Sequence, residues 1–528
     1  MSPRTTDTDE STSLLSRDSS DNDNNGGMTI TSNTTRSSYG KYDSILHEMK
    51  LFLELAIPTI LLNVGFTISP LLTASVVGRK FGSMYLSSFT LGNLTGNICS
   101  FSILAGILGA TDTLGPQAYG LENYKEIGLL TIRGIVLNLI LLIPINILLI
   151  YYLQDLLLYV GQDYDAAYNA QQWYNIFAWN LPFFVIFQSI WKFLSSQHLM
   201  KPLIEVSLFC CVIVLPISLE ICTNLYGFLG SAIAYVIFQV SQCVLLLAYL
   251  YHKQPHHSNT WPGLSIPILK EAICQYEPMM EYIHLGCGGI LTQSEWIYWE
   301  AMGIIVGNLG VLELSVHTIP NQVIMALCMA PFGCGLALAI RMGVKITSVD
   351  DGVKQVQYMS TAVAILSTGL FGIVISIFMY TQSHWLFRMF TNDEDVLELA
   401  QSIWWKVCLF NTNIALFASL MGTAIGLGMQ WTLGMINLGY LWIFGVPITY
   451  YFAVMNGGGL HAVWTWMNVP YACMNATLLL IFVFKDWYKV QEKIQEKDPS
   501  SSSSSSTTTK SLMGSPRLGT SRLEYGAV

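Results

Sequence analysis

Ser294-Glu295-Trp296-Ile297-Tyr298-Trp299-Glu300 places two glutamates and three large aromatics inside an otherwise apolar stretch. Upstream runs Ile283 to Leu291, with glycines at 286, 288 and 289, and downstream runs Ala301 to Val306. The stretch is long enough to cross a bilayer, which takes about 20 residues. A carboxylate at that depth is costly. It normally faces a bundle interior or a water-filled cavity and marks an ion or solute path, and the alternative is pairing between helices. The two glutamates lie five residues apart, about 140° around a helix, so they do not share one narrow face. One is expected to face a cavity and the other a neighbouring helix, with Gly286, Gly288 and Gly289 permitting bending or close packing. A buried carboxyl suits a group that takes up and releases a proton.

The composition agrees with this reading. Of 528 residues only 11% are charged while 52% are hydrophobic. A soluble domain carries about 25% charge, so the chain reads as an all-α polytopic membrane protein. Apolar spans fall near 51–77, 85–111, 127–153, 168–197, 202–224, 226–251, 279–305, 313–340, 353–383, 397–424, 430–454 and 459–484. The longest internal connection, 252–278, divides these about twelve helices six and six. Leu86-Ser87-Ser88-Phe89-Thr90-Leu91-Gly92-Asn93 aligns with Leu314-Ser315-Val316-His317-Thr318-Ile319-Pro320-Asn321, as a repeat would. The expected division is a disordered tail 1–43, an N-lobe 44–251, a linker 252–278, a C-lobe 279–487 and a disordered tail 488–528. The lobes are pseudo-symmetric, with a solute site between them and alternating access by rocking.

The polar parts add less. His252, His256 and His257 read as members of a solvated linker rather than metal ligands, and 266–282 as an amphipathic segment on the membrane surface. The eleven cysteines form no CxxC pair, so they read as free packing thiols, and no metal site is expected. The first 40 residues are polar and hold no cleavable signal, so the first span is expected to direct insertion. Glu10, Leu14 and Leu15 form an acidic dileucine pattern of the kind a cytosolic sorting adaptor reads, as common by chance in such tails. Lys125, Lys201, Lys253, Lys270, Arg341, Lys345, Lys354 and Lys485 fall at one end of the bundle, which places both termini in the cytosol. No Walker, GxSxG or HExxH motif is present, so no enzyme and no ATP-driven pump is read here. Nothing points to nucleic acid.

Other intramembrane polar residues are solute or relay candidates. His317 offers a proton relay or a hydrogen-bonded core histidine. Asn97, Gln322, Asn411 and Asn413 offer solute contacts or interhelical bonds. Asp112 and Gln117, at a membrane exit, are expected to shape a loop, and Lys192 to snorkel to the interface.

Asp112-Thr113-Leu114-Gly115-Pro116-Gln117-Ala118-Tyr119-Gly120 resembles the D-T-L-x-x-Q-A-Y-G signature of the multidrug and toxic compound extrusion (MATE) family. Thr260 to Ser265 is similar to the stretch joining that family's lobes. Glu295 to Glu300 resembles the E-W-W-x-x-E signature of its plant and animal branch. Pro331-Phe332-Gly333 followed by Arg341, and Gly426-Leu427-Gly428-Met429-Gln430 followed by Asn437 through Pro447, are similar to later motifs, all in family order over 45–487. The resemblance implies secondary antiport: proton or sodium entry drives efflux of small organic solutes, or their loading into a vacuole, with no cofactor. It places the coupling carboxylates at Glu295 and Glu300 and the first lobe's polar site at Asn97. Trp296, Tyr298 or Trp299 would offer an aromatic face to a cation. Ile414 stands where the family carries a helix-ten acid, and Ile425 where it carries an arginine, so a carboxylate network here has fewer groups. The expected function is proton-driven export of amphipathic organic solutes at a vacuolar, lysosomal or plasma membrane. Alternatives are sodium coupling, a lipid-linked flippase of related fold, or a non-transporting receptor or membrane enzyme.

Overall fold

The computed structural model describes residues 33–348, 352–388 and 394–496. The chain divides into two units, Met1–Lys50 and Leu51–Val528. The first is helical from Asn33, inside the stretch expected to be a disordered tail to 43. Glu10, Leu14 and Leu15 lie outside the described residues. The spanning helices belong to the second unit.

Among the described residues every regular element is helical. In hydrocarbon each backbone N–H and C=O needs an internal partner, and a helix supplies one within its own segment. The spans are α1 (Lys50–Phe81), α2 (Met84–Gly120), α3 (Tyr124–Tyr159), α4 (Tyr164–Ser196), α5 (201–226) and α6 (Gly230–Lys253). After the linker come α7 (Tyr276–Gly307), α8 (Val311–Lys345), α9 (Gly352–Thr381), α10 (Glu394–Gly426), α11 (Gln430–Met455) and α12 (Gly459–Phe484). Among the described residues ten stretches qualify as spans by length and apolar content. One of them, Lys201–Lys253, holds two, parted where Gly227 turns the chain at φ 62°. The glutamate-bearing α7 is the twelfth. All twelve predicted spans are present, and they form the two expected lobes, α1–α6 and α7–α12.

Several spans are locally rewound. The turn Asn97–Phe101 in α2 and the turn Leu438–Gly445 in α11 are π-helical, a winding often found at functional sites. Pro182 follows a 3-10 turn at Ala178–Asn180, and Pro447 follows the rewound part of α11. The proline ring therefore sits in the first turn of a new helical segment, where its missing N–H costs least.

The lobes meet along glycine seams. Gly289 lies on the backbone of Gly106, Gly286 on Ile107, Gly343 on Pro116, and Gly120 on Val344 and Thr347. Side chains at these points would drive the helices apart, so the predicted close packing at Gly286 and Gly289 is between lobes. The seam runs to the end of the bundle that carries the linker, called here the linker end.

Two polar segments differ from their sequence reading. The linker is docked rather than free: His257 stacks on Tyr124 at 4.2 Å, and its N–H donates to Gln197 Oε1 at 3.2 Å. His256 meets Phe193 edge-on. The amphipathic segment is a helix only over Ile266–Cys274. Its Ala272 packs on Leu129 and Ile132 of α3, and Arg133 Nε donates to the Ala272 carbonyl at 2.8 Å. An extended Gln275 ends it, and Tyr282 belongs to α7. The tail expected from 488 begins as a helix, Trp487–Gln495. Asp486 caps it, Trp487 is buried, and Gln491 donates to the Ser348 carbonyl at 2.5 Å.

Candidate functional site: a buried glutamate in the second lobe

Helix α7 turns Glu295 into the second lobe, where it is 2% exposed. Its Oε1 accepts a hydrogen bond of 2.8 Å from the Tyr471 hydroxyl of α12. That hydroxyl accepts one of 2.8 Å from Trp299 Nε1, one turn beyond Glu295 on α7. Rings clamp the group: Phe410 lies 5.0 Å from Tyr471 and 5.5 Å from Trp299, and Phe417 closes on Tyr471 at 5.6 Å. The buried His317 meets Trp464 at a tilt, 5.4 Å between ring centroids, and Trp464 in turn meets Phe410. Among the described residues, Tyr471 is the one hydrogen-bond partner of Glu295, and no lysine or arginine pairs with it.

The other aromatic and acidic residues of the α7 run divide by helical phase. Tyr298 is fully buried against the rewound part of α11 at Gly445. Trp296 meets Phe332 of α8 at a tilt, with ring centroids 5.3 Å apart. Glu295 is the glutamate that packs against a neighbouring helix, α12, and Glu300, which follows Trp296 by one turn, is exposed. Five residues at 100° each put it on the open side once Glu295 is turned inward. Gln322 is exposed on α8. Asn411 is not gathered into the site. Its Nδ2 donates to the carbonyls of Phe371 and Gly372 and to Ser376 Oγ, which ties α10 to α9. Asn413 Nδ2 donates to Asn468 Oδ1 at 3.0 Å, tying α10 to α12. Ile414, at the position of the missing acid, is fully buried.

Asn97 sits at the start of the rewound turn of α2 and lines a cavity of about 60 Å³ in the first lobe. Asn180, Gln188, Gln239, Trp191 and Tyr235 share the lining, which contains no carboxylate. Asn180 Nδ2, Gln239 Nε2 and Trp191 Nε1 are buried with no partner in the protein. The space is enough for several waters.

Asp112 and Lys192 depart from the sequence reading, which sets each at a span end facing water. Asp112 lies within the helix Ser102–Gly120, and Lys192 Nζ donates to its Oδ2 at 2.9 Å, both side chains being largely buried. The helix runs on to Gly120, so both stay inside the lobe and neutralise one another. The motif around Asp112 meets the motif around Gly426 across the lobes. Thr113 Oγ1 donates to the Ile425 carbonyl at 2.6 Å, and Gln117 Nε2 to the Gly426 carbonyl at 3.4 Å. Gln430 Nε2 reaches the Gly109 carbonyl at 3.3 Å and also Thr113 Oγ1. The last carbonyls of a helix have no partner in it, and here the first lobe caps α10. Gly428, at φ 71°, makes the turn that brings Gln430 back to the seam. Pro331 and Arg341 are buried in α8, and Gly333 abuts the backbone of Ile60 of α1. Tyr471 was missed by the sequence reading. It lies 176 positions from Glu295 in an apolar span and carries no local signal.

The second of the two six-helix lobes thus holds a buried carboxylate with no cation paired to it among the described residues. The MatE family model matches residues 58–219 and 291–451, once in each lobe and over more than half of the chain, so the chain belongs to the MatE family of multidrug and toxin extrusion transporters. It is 28% identical over 475 residues to Protein DETOXIFICATION 14 of Arabidopsis thaliana, covering 88% of this chain and 93% of that one. It is 28% identical over 429 residues to Multidrug and toxin extrusion protein 2 of Oryctolagus cuniculus, covering 80% and 69%. The crystal structure of the eukaryotic MATE transporter AtDTX14 superposes with a TM-score of 0.78 at 23% identity, covering 86% of this chain and 99% of that one.

Proposed function

We propose that this efflux transporter exchanges protons for amphipathic organic solutes, and that Glu295 carries the proton. The supporting observation is the setting of Glu295: buried, bonded to one neutral hydroxyl, and without a pairing cation among the described residues. An ionised carboxylate so placed is unfavourable, and it persists if it is wetted or protonated for part of the cycle. Protonation from one side and release to the other, as the lobes rock, couples the proton gradient to solute movement. Glu300 belongs to the cleft between the lobes in this reading. Trp296, one turn before it, packs against Phe332, whose neighbour Gly333 abuts the other lobe. An exposed carboxylate beside Trp296 suits an organic cation.

The basic residues at the linker end favour a cytosolic side for both termini. The Glu10, Leu14 and Leu15 pattern favours delivery to a vacuolar or lysosomal membrane through a sorting adaptor. A sodium-coupled cycle is the second reading, favoured by Ile414 in place of the second acid. Flux in sealed vesicles under imposed proton or sodium gradients, across a panel of organic cations and anions, separates the two. Glu295→Gln keeps the shape and removes the charge. Parental proton-driven flux in that variant overturns the proposal.

A further inference from the structure

Trp299, Tyr471 and Glu295 form a hydrogen-bond chain whose direction is set by chemistry. An indole N–H donates and never accepts. Trp299 Nε1 therefore donates to the Tyr471 oxygen, and the phenol hydrogen is left to point at Glu295 Oε1. A proton on Oε1 would have to turn that hydrogen away, and a buried hydroxyl would lose its acceptor. Oε1 is thus an acceptor whether Glu295 is ionised or neutral. The rings cannot swing to relieve this, since Phe410 and Phe417 hold Tyr471 edge-on and Phe410 also backs Trp299.

We infer that Tyr471, oriented by Trp299, is a positioning residue for the coupling step: it reserves Glu295 Oε1 as an acceptor and leaves Oε2 as the atom that takes and gives the proton. The inference rests on the proton-carrying role proposed for Glu295. In the step, a hydronium gives its proton to ionised Oε2, forming one O–H bond and leaving water. Release is the reverse, and no other group changes charge. The titratable groups facing this position are few. Helix α12 brings Tyr471, α7 brings Tyr298, and α8 carries the buried Cys328 thiol, while His317 of α8 packs on Trp464. From α10 come the rings of Phe410 and Phe417.

The test is an infrared titration of the full chain in lipid. The protonated carboxyl C=O band of Glu295 is assigned by its loss in Glu295→Gln. With the proton on Oε2, the carbonyl oxygen is Oε1, which accepts from Tyr471. Tyr471→Phe is expected to raise the C=O frequency and to move the titration midpoint up by about 1 pH unit, because a donor to the carboxylate is lost. Trp299→Phe should move both in the same direction by less. The double variant should match Tyr471→Phe alone, since Trp299 acts through the hydroxyl. If Tyr471→Phe does not insert, Trp299→Phe carries the test by itself. An unmoved frequency and midpoint in whichever variant inserts overturns the inference while leaving proton coupling intact. Absence of any titrating carboxyl band assigned to Glu295 overturns the underlying reading instead.

Discussion

Asp112 and Glu295 are both buried carboxylates within spanning helices, one in each lobe, and they are held in opposite ways. Asp112 has a lysine at 2.9 Å. Glu295 has a phenol at 2.8 Å and, among the described residues, no cation. Lys192 hydrogen-bonds Asp112 and so ties α2 to α4 next to the seam where Thr113 and Gln117 reach the end of α10. In the proposed cycle the phenol leaves Glu295 free to change protonation. The lobes themselves differ in the same sense. The first-lobe cavity around Asn97 shows orphaned N–H donors and no acid, whereas the interior of the second is packed with rings around an acid. On the proposed reading the two lobes share one seam and divide the chemistry.

The contrast breaks most visibly under charge removal. Glu295→Gln should insert normally and lose gradient-driven flux outright, while Asn97→Ala should lower flux by about 5-fold, the worth of one hydrogen bond. Both are read in sealed vesicles at matched protein levels. Comparable losses in the two variants would end the division of labour between lobes. For the first-lobe pair the expected damage is to stability. Lys192→Met leaves a buried carboxylate alone and should cost about 3–5 kcal/mol, whereas Lys192→Met with Asp112→Leu should recover most of it. Thermal unfolding in lipid measures both. A Lys192→Met protein as stable as the parent would mean that the pair is wetted and carries no load.

The spans were legible because an apolar run of about 20 residues is seldom anything but a helix that crosses a bilayer. The glutamates stood out because carboxylates at that depth are rare. Which glutamate turns inward was not legible. Helical phase separates Glu295 from Glu300, but only the tertiary partners on α10 and α12 say which phase is the inside. Tyr471 had no signal for the same reason: a tyrosine in an apolar span reads as packing until its partner is seen. Asp112 and Lys192 were noticed but misplaced, because each sits near a predicted span end, and a span end by hydropathy is not a helix end. The two seam motifs were legible one at a time. Their contact joins residues more than 300 positions apart, which no local pattern encodes.

The glycines of the seam offer a moderate test. Gly289→Val would push a side chain into the backbone of Gly106 and should open the seam or cost about 1–3 kcal/mol of overpacking. Gly303→Ala, on the same helix with open space around it, should be silent in the same thermal measurement. Equal effects at both positions would show that glycine content in α7 serves helix flexibility rather than contact between lobes.

The smallest expected effect concerns the cap that the first lobe places on α10. Thr113→Val keeps the shape and removes the hydroxyl donor to the Ile425 carbonyl, which keeps only the Gly428 N–H at 3.0 Å. Gln430 also loses its acceptor at Thr113. One net hydrogen bond is worth about 1 kcal/mol, so the population with the linker end closed should fall by about 5-fold relative to the open one. Thr292→Val is the matched control in the second lobe. Its hydroxyl is already bonded to the Gly288 carbonyl of its own helix at 3.1 Å and reaches across to the Gln430 carbonyl only at 3.4 Å. Distances between spin labels at Glu122 and Gln357, one on each lobe near the linker end, report the population directly. With eleven native cysteines the labels have to be attached by a route that does not use thiols. Thr113→Val should add a longer-distance component that Thr292→Val lacks. Identical distributions for the two variants would mean that the glycine contacts alone hold the lobes together, and that the motif pairing is incidental to the closed state.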